Sequence, residues 1–128
     1  MFEKLEIVRM AQTMAAHAGA RQAEIARNIA NADTPGYRAR DMRPFNEVYE
    51  RGASGLRATR PGHLGAVTAA SAEAQERLIG GTAAPNGNSV SLEAEMVKAV
   101  EVRQQHEMAL AIYRSSSNVV RASLGRGR

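Results

Sequence analysis

All four prolines of this 128-residue chain fall at positions 35, 44, 61 and 85, so neither end of the sequence carries one. Proline removes an amide donor and clashes with the preceding helical turn, which leaves room for long uninterrupted helices only at the two ends. Seven of the eleven glycines lie in the span Gly52 to Gly87, so the middle has the composition of loop and turn. The expected layout is mainly α in three parts. A long N-terminal helix occupies 1–32, a signature turn and loop-rich middle occupy 33–90, and a long C-terminal helix with a basic tail occupies 91–128.

Apolar periodicity supports both helices. In the first, Val8, Ala11, Ala15, Ala18, Gln22, Ile25, Ile29 and Ala32 recur in steps of three and four, with Gln22 the one polar member. A second stripe, Ile7, Met10 and Met14, widens the apolar arc near the N-terminus, and an arc that wide implies more than one neighbour. The second helix opens at Ser91, an N-cap followed by Glu93 and Glu95, carboxylates placed to oppose the helix dipole. Its seam runs Leu92, Met96, Ala99, Arg103, His106, Leu110, Tyr113, Ser117, Val120 and Leu124, and a companion stripe runs Val102, Gln105, Ala109, Ile112, Ser116 and Val119. Gly125 is the expected stop.

At about 1.5 Å per residue each helix extends roughly 45 to 50 Å, so an elongated antiparallel, coiled-coil-like pair is expected rather than a compact globule. Burying Val8, Ile25 and Ile29 contributes about 1.5 to 3 kcal/mol each, against a backbone entropy cost of about 1 to 2 kcal/mol per ordered residue. A lone hairpin of such alanine-rich helices is marginal, and the expectation is that neighbouring chains cover both stripes. Ile25→Asp is then expected to block incorporation into an assembly while leaving the chain soluble. Within the middle, SAEAQERLI fits two or three turns of helix from Ser71 to Gly80, and RATRPGHLGAV fits a short strand at best.

The first helix meets a defined barrier. Thr34 precedes Pro35 and is disfavoured in the α region, Asn31 or Asp33 can finish the last turn, and Thr34-Pro35-Gly36-Tyr37 fits a type II turn with glycine at positive φ. Asn28 and Asn31, three apart, share one helix face and offer amide groups across a contact or back to the turn. From residue chemistry alone, this is either a plain helix stop or a specific recognition surface.

The run Ala26-Arg27-Asn28-Ile29-Ala30-Asn31-Ala32-Asp33-Thr34-Pro35-Gly36-Tyr37 resembles the N-terminal signature of bacterial flagellar rod, hook and hook-filament junction proteins. Its extension Arg38-Ala39-Arg40-Asp41, the central Thr59-Arg60-Pro61-Gly62-His63-Leu64, and Gly87-Asn88-Ser89-Val90-Ser91-Leu92-Glu93-Ala94-Glu95-Met96 look most like the proximal rod members of that family. Ser91 stands where many of them carry aspartate, and both residues cap helices. The resemblance implies a non-catalytic building block whose terminal helices form the inner tube of the rod that crosses the periplasm. It also implies export by the flagellar type III apparatus without a cleaved signal. The partners implied are copies of the chain, other rod proteins, the rod-base adaptor and the membrane ring. The signature positions carried over are Asn28, Asn31, Thr34, Pro35, Gly36 and Tyr37.

Composition narrows the rival functions. The chain has no cysteine, which removes thiolate metal sites, disulfides and cysteine catalysis. His17, His63 and His106 lie far apart with no His-x-x-x-His spacing, and the glycines form no phosphate-binding pattern, so no catalytic, cofactor or metal residue is assigned. The start MFEKLEIVRM interleaves charges with apolar residues, unlike a secretory signal, and no run approaches the roughly 18 apolar residues of a membrane span. With 17 Lys+Arg against 13 Asp+Glu the chain is basic, and Arg38, Arg40, Arg43, Arg51, Arg57 and Arg60 outnumber the acids among them. Such a segment attracts phosphate, which keeps a nucleic-acid-binding protein as the alternative, along with an unrelated coiled-coil adaptor. The sparse aromatics and the absence of a recognition motif weigh against nucleic acid, and no small-molecule substrate is expected.

Overall fold

A computed structural model describes residues 2–53, 76–78 and 82–125. In chain order the elements are helix α1 (Phe2–Ala30), strand β1 (Arg40–Met42), helix α2 (Phe45–Ala53), strand β2 (Glu76–Leu78) and helix α3 (Leu92–Gly125). Both proline-free ends are long helices of 29 and 34 residues, about 43 and 51 Å in length. They pack antiparallel: Asn28, near the end of α1, meets Glu95 at the start of α3, while Ala18 and Ile25 pack on Val102 further along.

The apolar contact between the helices is narrow. Ala11, Ala18 and Ile25 recur every seven residues on α1, and Glu95, Val102 and Ala109 do the same on α3; all are buried. A seven-residue repeat keeps one face of a slightly supercoiled helix toward its partner. With alanine at half of these positions the backbones approach closely, but the buried apolar volume is small. Ala18, Ile25 and Val102 form the central cluster, with Ala99 at its edge. Ser91 caps α3 as expected: its carbonyl accepts the Glu95 amide at 3.0 Å and its hydroxyl faces the Ala94 amide at 3.5 Å.

The middle departs from the loop expectation in two places. Pro44 begins α2, and its carbonyl accepts the Val48 amide at 3.3 Å. Proline at a helix start sacrifices no intrahelical donor. Phe45 and Tyr49, four apart, stack at 5.6 Å, and Phe45 sets its ring against His17 on α1 at 5.7 Å, with Val48 buried between the elements. The second departure is a two-stranded antiparallel ribbon pairing Arg40 with Leu78, Asp41 with Arg77 and Met42 with Glu76. The helix expected from Ser71 is therefore a strand where it is described, at Glu76–Leu78. Residues 71–75 and the strand expected within 57–67 lie outside the described residues. A strand supplied with a pairing partner overrides a helix propensity that is only a weak prior.

Ile25 lies in the chain's own core. Ile25→Asp therefore places a charge between α1 and α3, and it reports on folding of the single chain rather than on assembly alone.

Candidate functional site, a buried polar clasp at the signature turn

Helix α1 carries a second buried face beside its apolar one, and that face is polar. His17, Arg21, Glu24 and Asn28 advance in steps of four, three and four, which puts them on a single strip. The chain leaving the signature turn runs back along this strip. Asn28 meets Arg40, Arg21 meets Asp41, and His17 meets Arg43, so the helix number falls as the segment number rises. Polar side chains suit this role because an extended segment laid on a helix brings backbone amides and carbonyls that must be satisfied once buried.

Asn28, with no exposed surface, uses its whole hydrogen-bonding capacity within the chain. Its Nδ2 donates to the Arg40 carbonyl at 2.6 Å and to Glu95 Oε2 at 3.1 Å, and its Oδ1 accepts the Arg40 amide at 3.1 Å and the Tyr37 hydroxyl at 3.2 Å. One amide thereby joins α1, β1, the turn and α3. His17 Nε2 lies 2.7 Å from the Arg43 carbonyl, a contact that requires the proton on Nε2.

Charge is balanced next to this amide. Asp41 receives Arg21 through two bonds, Nε to Oδ1 at 2.8 Å and Nη2 to Oδ2 at 3.1 Å, and its Oδ1 also accepts the Met42 amide at 2.8 Å. Lys98 Nζ from α3 sits 2.9 Å from Glu95 Oε1 and 3.9 Å from Asp41 Oδ2. Burial pushes the Asp41 carboxyl up, but the Arg21 hydrogen bonds and charge, the Met42 amide and the Lys98 charge outweigh it, and the group stays below the ordinary carboxylate range. Arg21 is shifted upward in turn, chiefly by its hydrogen bonds to Asp41.

The turn itself has the expected form. Gly36 has φ of 74° and the Tyr37 amide donates to the Thr34 carbonyl at 3.3 Å, as a type II turn requires. Before it, α1 tightens: the amides of Asn31 and Ala32 reach back three residues, to Asn28 and Ile29, and Asn31 Nδ2 bonds the Arg27 carbonyl at 2.8 Å while its Oδ1 accepts Thr34 Oγ1 at 3.2 Å. Asn88 reaches this stretch from the far side of the middle segment, its Nδ2 lying 2.9, 2.7 and 3.0 Å from the carbonyls of Asn31, Ala32 and Thr34, the first and last of which also accept the Thr34 and Tyr37 amides.

The segment that carries Asn88 is shaped to fit. Gly87, at φ of 81°, closes a turn by donating to the Ala84 carbonyl at 2.8 Å, and a Cβ placed on Gly87 would stand 3.4 Å from the Gly36 Cα. The Gly36 amide donates to the Asn86 carbonyl and the Ser89 amide to the Tyr37 carbonyl, both at 3.0 Å, while Ser89 Oγ accepts the Ala39 amide at 2.8 Å. Gly36→Ala meets no atom within 4 Å, so its expected cost is conformational alone, about 1 kcal/mol. Gly87→Ala carries the same positive-φ strain and adds only an ordinary contact, so a similar loss, about 1 kcal/mol, is expected in a urea titration.

The clasp therefore gathers four signature positions, Asn28, Asn31, Gly36 and Tyr37, with Thr34 joined through its hydroxyl and backbone and Pro35 exposed at the turn's tip. Sequence reasoning missed Arg21, Asp41, Asn88, Ser89, Glu95 and Lys98. Glu95, read only as a first-turn carboxylate opposing the helix dipole, is also buried on the inward stripe of α3. The available signal was the step pattern of polar residues at 17, 21, 24 and 28, masked by the apolar seam beside it.

The expected helix seams divide. Ala11, Ala18 and Ile25 are buried within the chain; Val8, Ala15, Ala99, Leu110 and Val120 are half-buried; Gln22, Ile29, Leu92, Met96, Tyr113 and Leu124 are exposed. On α3 it is the companion stripe, through Val102 and Ala109, that faces α1. Val97 (60%), Val100 (69%) and Leu124 (67%) lead a set of large apolar side chains left open on α3, with Leu5 and Ile7 on α1. Among the described residues no helix is long and apolar enough to cross a membrane, and no three His, Asp or Glu side chains are grouped to hold a metal ion. Of the basic cluster, Arg38 and Arg40 are exposed and Arg43 is half-buried, while Arg57 and Arg60 and the side chain of Arg51 lie outside the described residues.

A sequence model of the flagella basal body rod protein family matches residues 11–38, which contain the apolar seam of α1, the polar strip and the turn. The flagellar basal body rod protein FlgB of Agrobacterium fabrum is 30% identical over 118 residues, 88% of this chain and 88% of that protein. FlgB of Escherichia coli is 34% identical over 122 residues, 87% of this chain and 88% of its own length. The chain belongs to the FlgB family of flagellar basal-body rod proteins. It is a structural subunit of the rod, and it assembles with other proteins of the flagellar basal body. The rod protein's buried strip and turn lie inside the family match, whereas Asn88 and Glu95 enter from beyond it.

Proposed function

We propose that the rod protein polymerises through the outward faces of α1 and α3 into the tubular drive shaft of the flagellum. The observation that carries this reading is the set of large apolar side chains that one chain leaves uncovered: Met96, Val97, Val100, Met108, Val119 and Leu124 on α3. Large apolar side chains left open in such number on one helix favour an interface. In the rod it is covered by copies of the chain and by related rod proteins, with the rod-base adaptor and the membrane ring at its lower end. The subunit reaches the periplasm through the flagellar type III export apparatus without a cleaved signal. Its role is non-catalytic. The signature residues Asn28, Asn31, Thr34, Pro35, Gly36 and Tyr37 serve assembly by fixing the shape of the subunit. The three parts of the chain, 1–32, 33–90 and 91–128, divide the work between tube-forming helices and the segment that joins them in sequence. A basic helical nucleic-acid-binding protein or an unrelated coiled-coil adaptor leaves the family match without a reason.

The Met96→Asp, Val100→Asp double variant tests the interface. Both positions are exposed in the single chain, so the helices and their melting are expected to stay intact while rods fail to form and cells stop swimming. Normal swimming with both substitutions would remove this face from the assembly.

A further inference from the structure

We infer that the signature turn has its receptor within the same chain: residues 86–89, centred on Asn88, receive it, and its polar side chains act as a positioning clasp rather than as an epitope read by another protein. The inference rests on the rod reading only for its assembly readout. Its basis is where the polar groups of the turn point. Asn28 spends both amide protons and its oxygen on α3, β1 and Tyr37. Asn31 turns toward its own chain, its Nδ2 donating to the Arg27 carbonyl and its Oδ1 accepting the Thr34 hydroxyl. The carbonyls of Asn31, Ala32 and Thr34, just past the end of α1 where an outside donor could be recruited, all lie within hydrogen-bond distance of Asn88 Nδ2.

The receptor is built as specifically as the turn. Asn88 Oδ1 accepts the Val90 amide at 2.8 Å and its backbone amide donates to Asn86 Oδ1 at 3.1 Å, so the side chain that caps α1 is held at both ends. Asn88 has almost no exposed surface. The Ala84 amide donates to the Asn88 carbonyl at 2.8 Å, closing the loop that presents it. The two turns lie against each other, a Cβ on Gly87 standing 3.4 Å from the Gly36 Cα. The charged side chains this stretch leaves open are Asp33 and Arg38, with Thr34 and Pro35 exposed at the tip. A neighbour reading charge on the stretch would have to read Asp33 and Arg38, whereas the clasp reading makes those two dispensable.

Hydrogen exchange on the purified full-length chain separates the two, combined with rod assembly in cells. In Asn88→Ala the amides of Gly36, Tyr37 and Ser89 are expected to exchange at least tenfold faster while those of α3 around Val102 keep their protection, and rods are expected to be lost or sparse. A fall in protection throughout the chain would make Asn88 a general stability residue and overturn the positioning role, as would unchanged exchange at the turn. Ser89→Ala is the milder variant, expected to speed exchange at Ala39 and little else; no change there counts against the receptor. The Asp33→Ala, Arg38→Ala double variant is expected to leave both exchange and rods as they are. Loss of rods in that variant with turn protection intact would show the signature to be an outward epitope. If deletion of the whole gene left rods intact, the rod reading would fail while the exchange result on the isolated chain stood.

Discussion

Asn28→Ala is expected to lower the unfolding free energy of the chain by about 3 to 4 kcal/mol. The substitution removes a side chain with no exposed surface and strands the Arg40 amide and carbonyl, the Tyr37 hydroxyl and part of the Glu95 carboxylate. Each buried polar group left without a partner costs about 1 to 3 kcal/mol, and the losses are not fully additive because the groups are neighbours. A urea titration followed by far-UV circular dichroism measures the effect. A loss below about 1 kcal/mol would mean that the segment holds its place on α1 without the amide, and the polar-strip account would fail.

The second large effect belongs to Asp41. Asp41→Ala leaves Arg21 on the strip without its bidentate partner, and removal of one member of a buried pair costs about 3 to 5 kcal/mol. Both side chains keep a little solvent contact, so the lower end of that range is expected. The same pair gives the chain an acid limit. Because the folded pKa of Asp41 lies below its unfolded value, the ionised pair contributes its full stability above the ordinary carboxylate range, at about pH 4 to 5 and higher. That contribution is lost as pH falls through the lowered folded pKa. Asp41→Asn, which cannot titrate, is expected to flatten the acid side of the stability profile while lowering its plateau. An acid limb of unchanged steepness in Asp41→Asn would assign acid sensitivity to other carboxylates.

The terminal helices were legible from the sequence because proline position and seven-residue apolar spacing are local signals. The type II turn was legible for the same reason: Pro35 and Gly36 determine the backbone at their own positions. The clasp was not, because its partners are far apart in the chain. Asn28 and Glu95 are separated by 67 residues and Asn88 reaches the α1 carbonyls across more than 50, and no local pattern encodes such a meeting. The polar strip did leave a trace, since His17, Arg21, Glu24 and Asn28 repeat at helical spacing. Polar residues at that spacing are ordinarily a solvated face, and what makes them a binding face is the returning segment. Helix α2 carried a readable signal in Pro44 and the Phe45, Val48, Tyr49 spacing, hidden by the glycine-rich composition around it. On α3, two apolar stripes competed for the partner. The narrower one won because Val102 and Ala109 allow closer approach than the bulkier Leu92, Met96 and Leu110. Leu92 and Met96 are left exposed by the single chain.

In the proposed assembly the clasp and the open apolar residues have complementary roles. Polar groups, whose geometry is directional, fix one arrangement of α1, α3 and the returning segment, while apolar side chains, which attract without strict direction, are left outward. A subunit that must add to a growing structure gains from this division, since its shape is set before its sticky surface is covered.

Site-specific labelling tests that claim most directly, because the absence of cysteine makes an introduced one unique. Val100→Cys puts a thiol at an open position on α3, and Asp33→Cys puts one on the open side of the turn as a control. In the isolated chain both should react with a maleimide at the rate of a free thiol. In purified basal bodies the thiol at position 100 should be protected by at least a hundredfold, covered by a neighbouring subunit. Equal labelling of position 100 in the isolated chain and in the assembled rod would contradict the account.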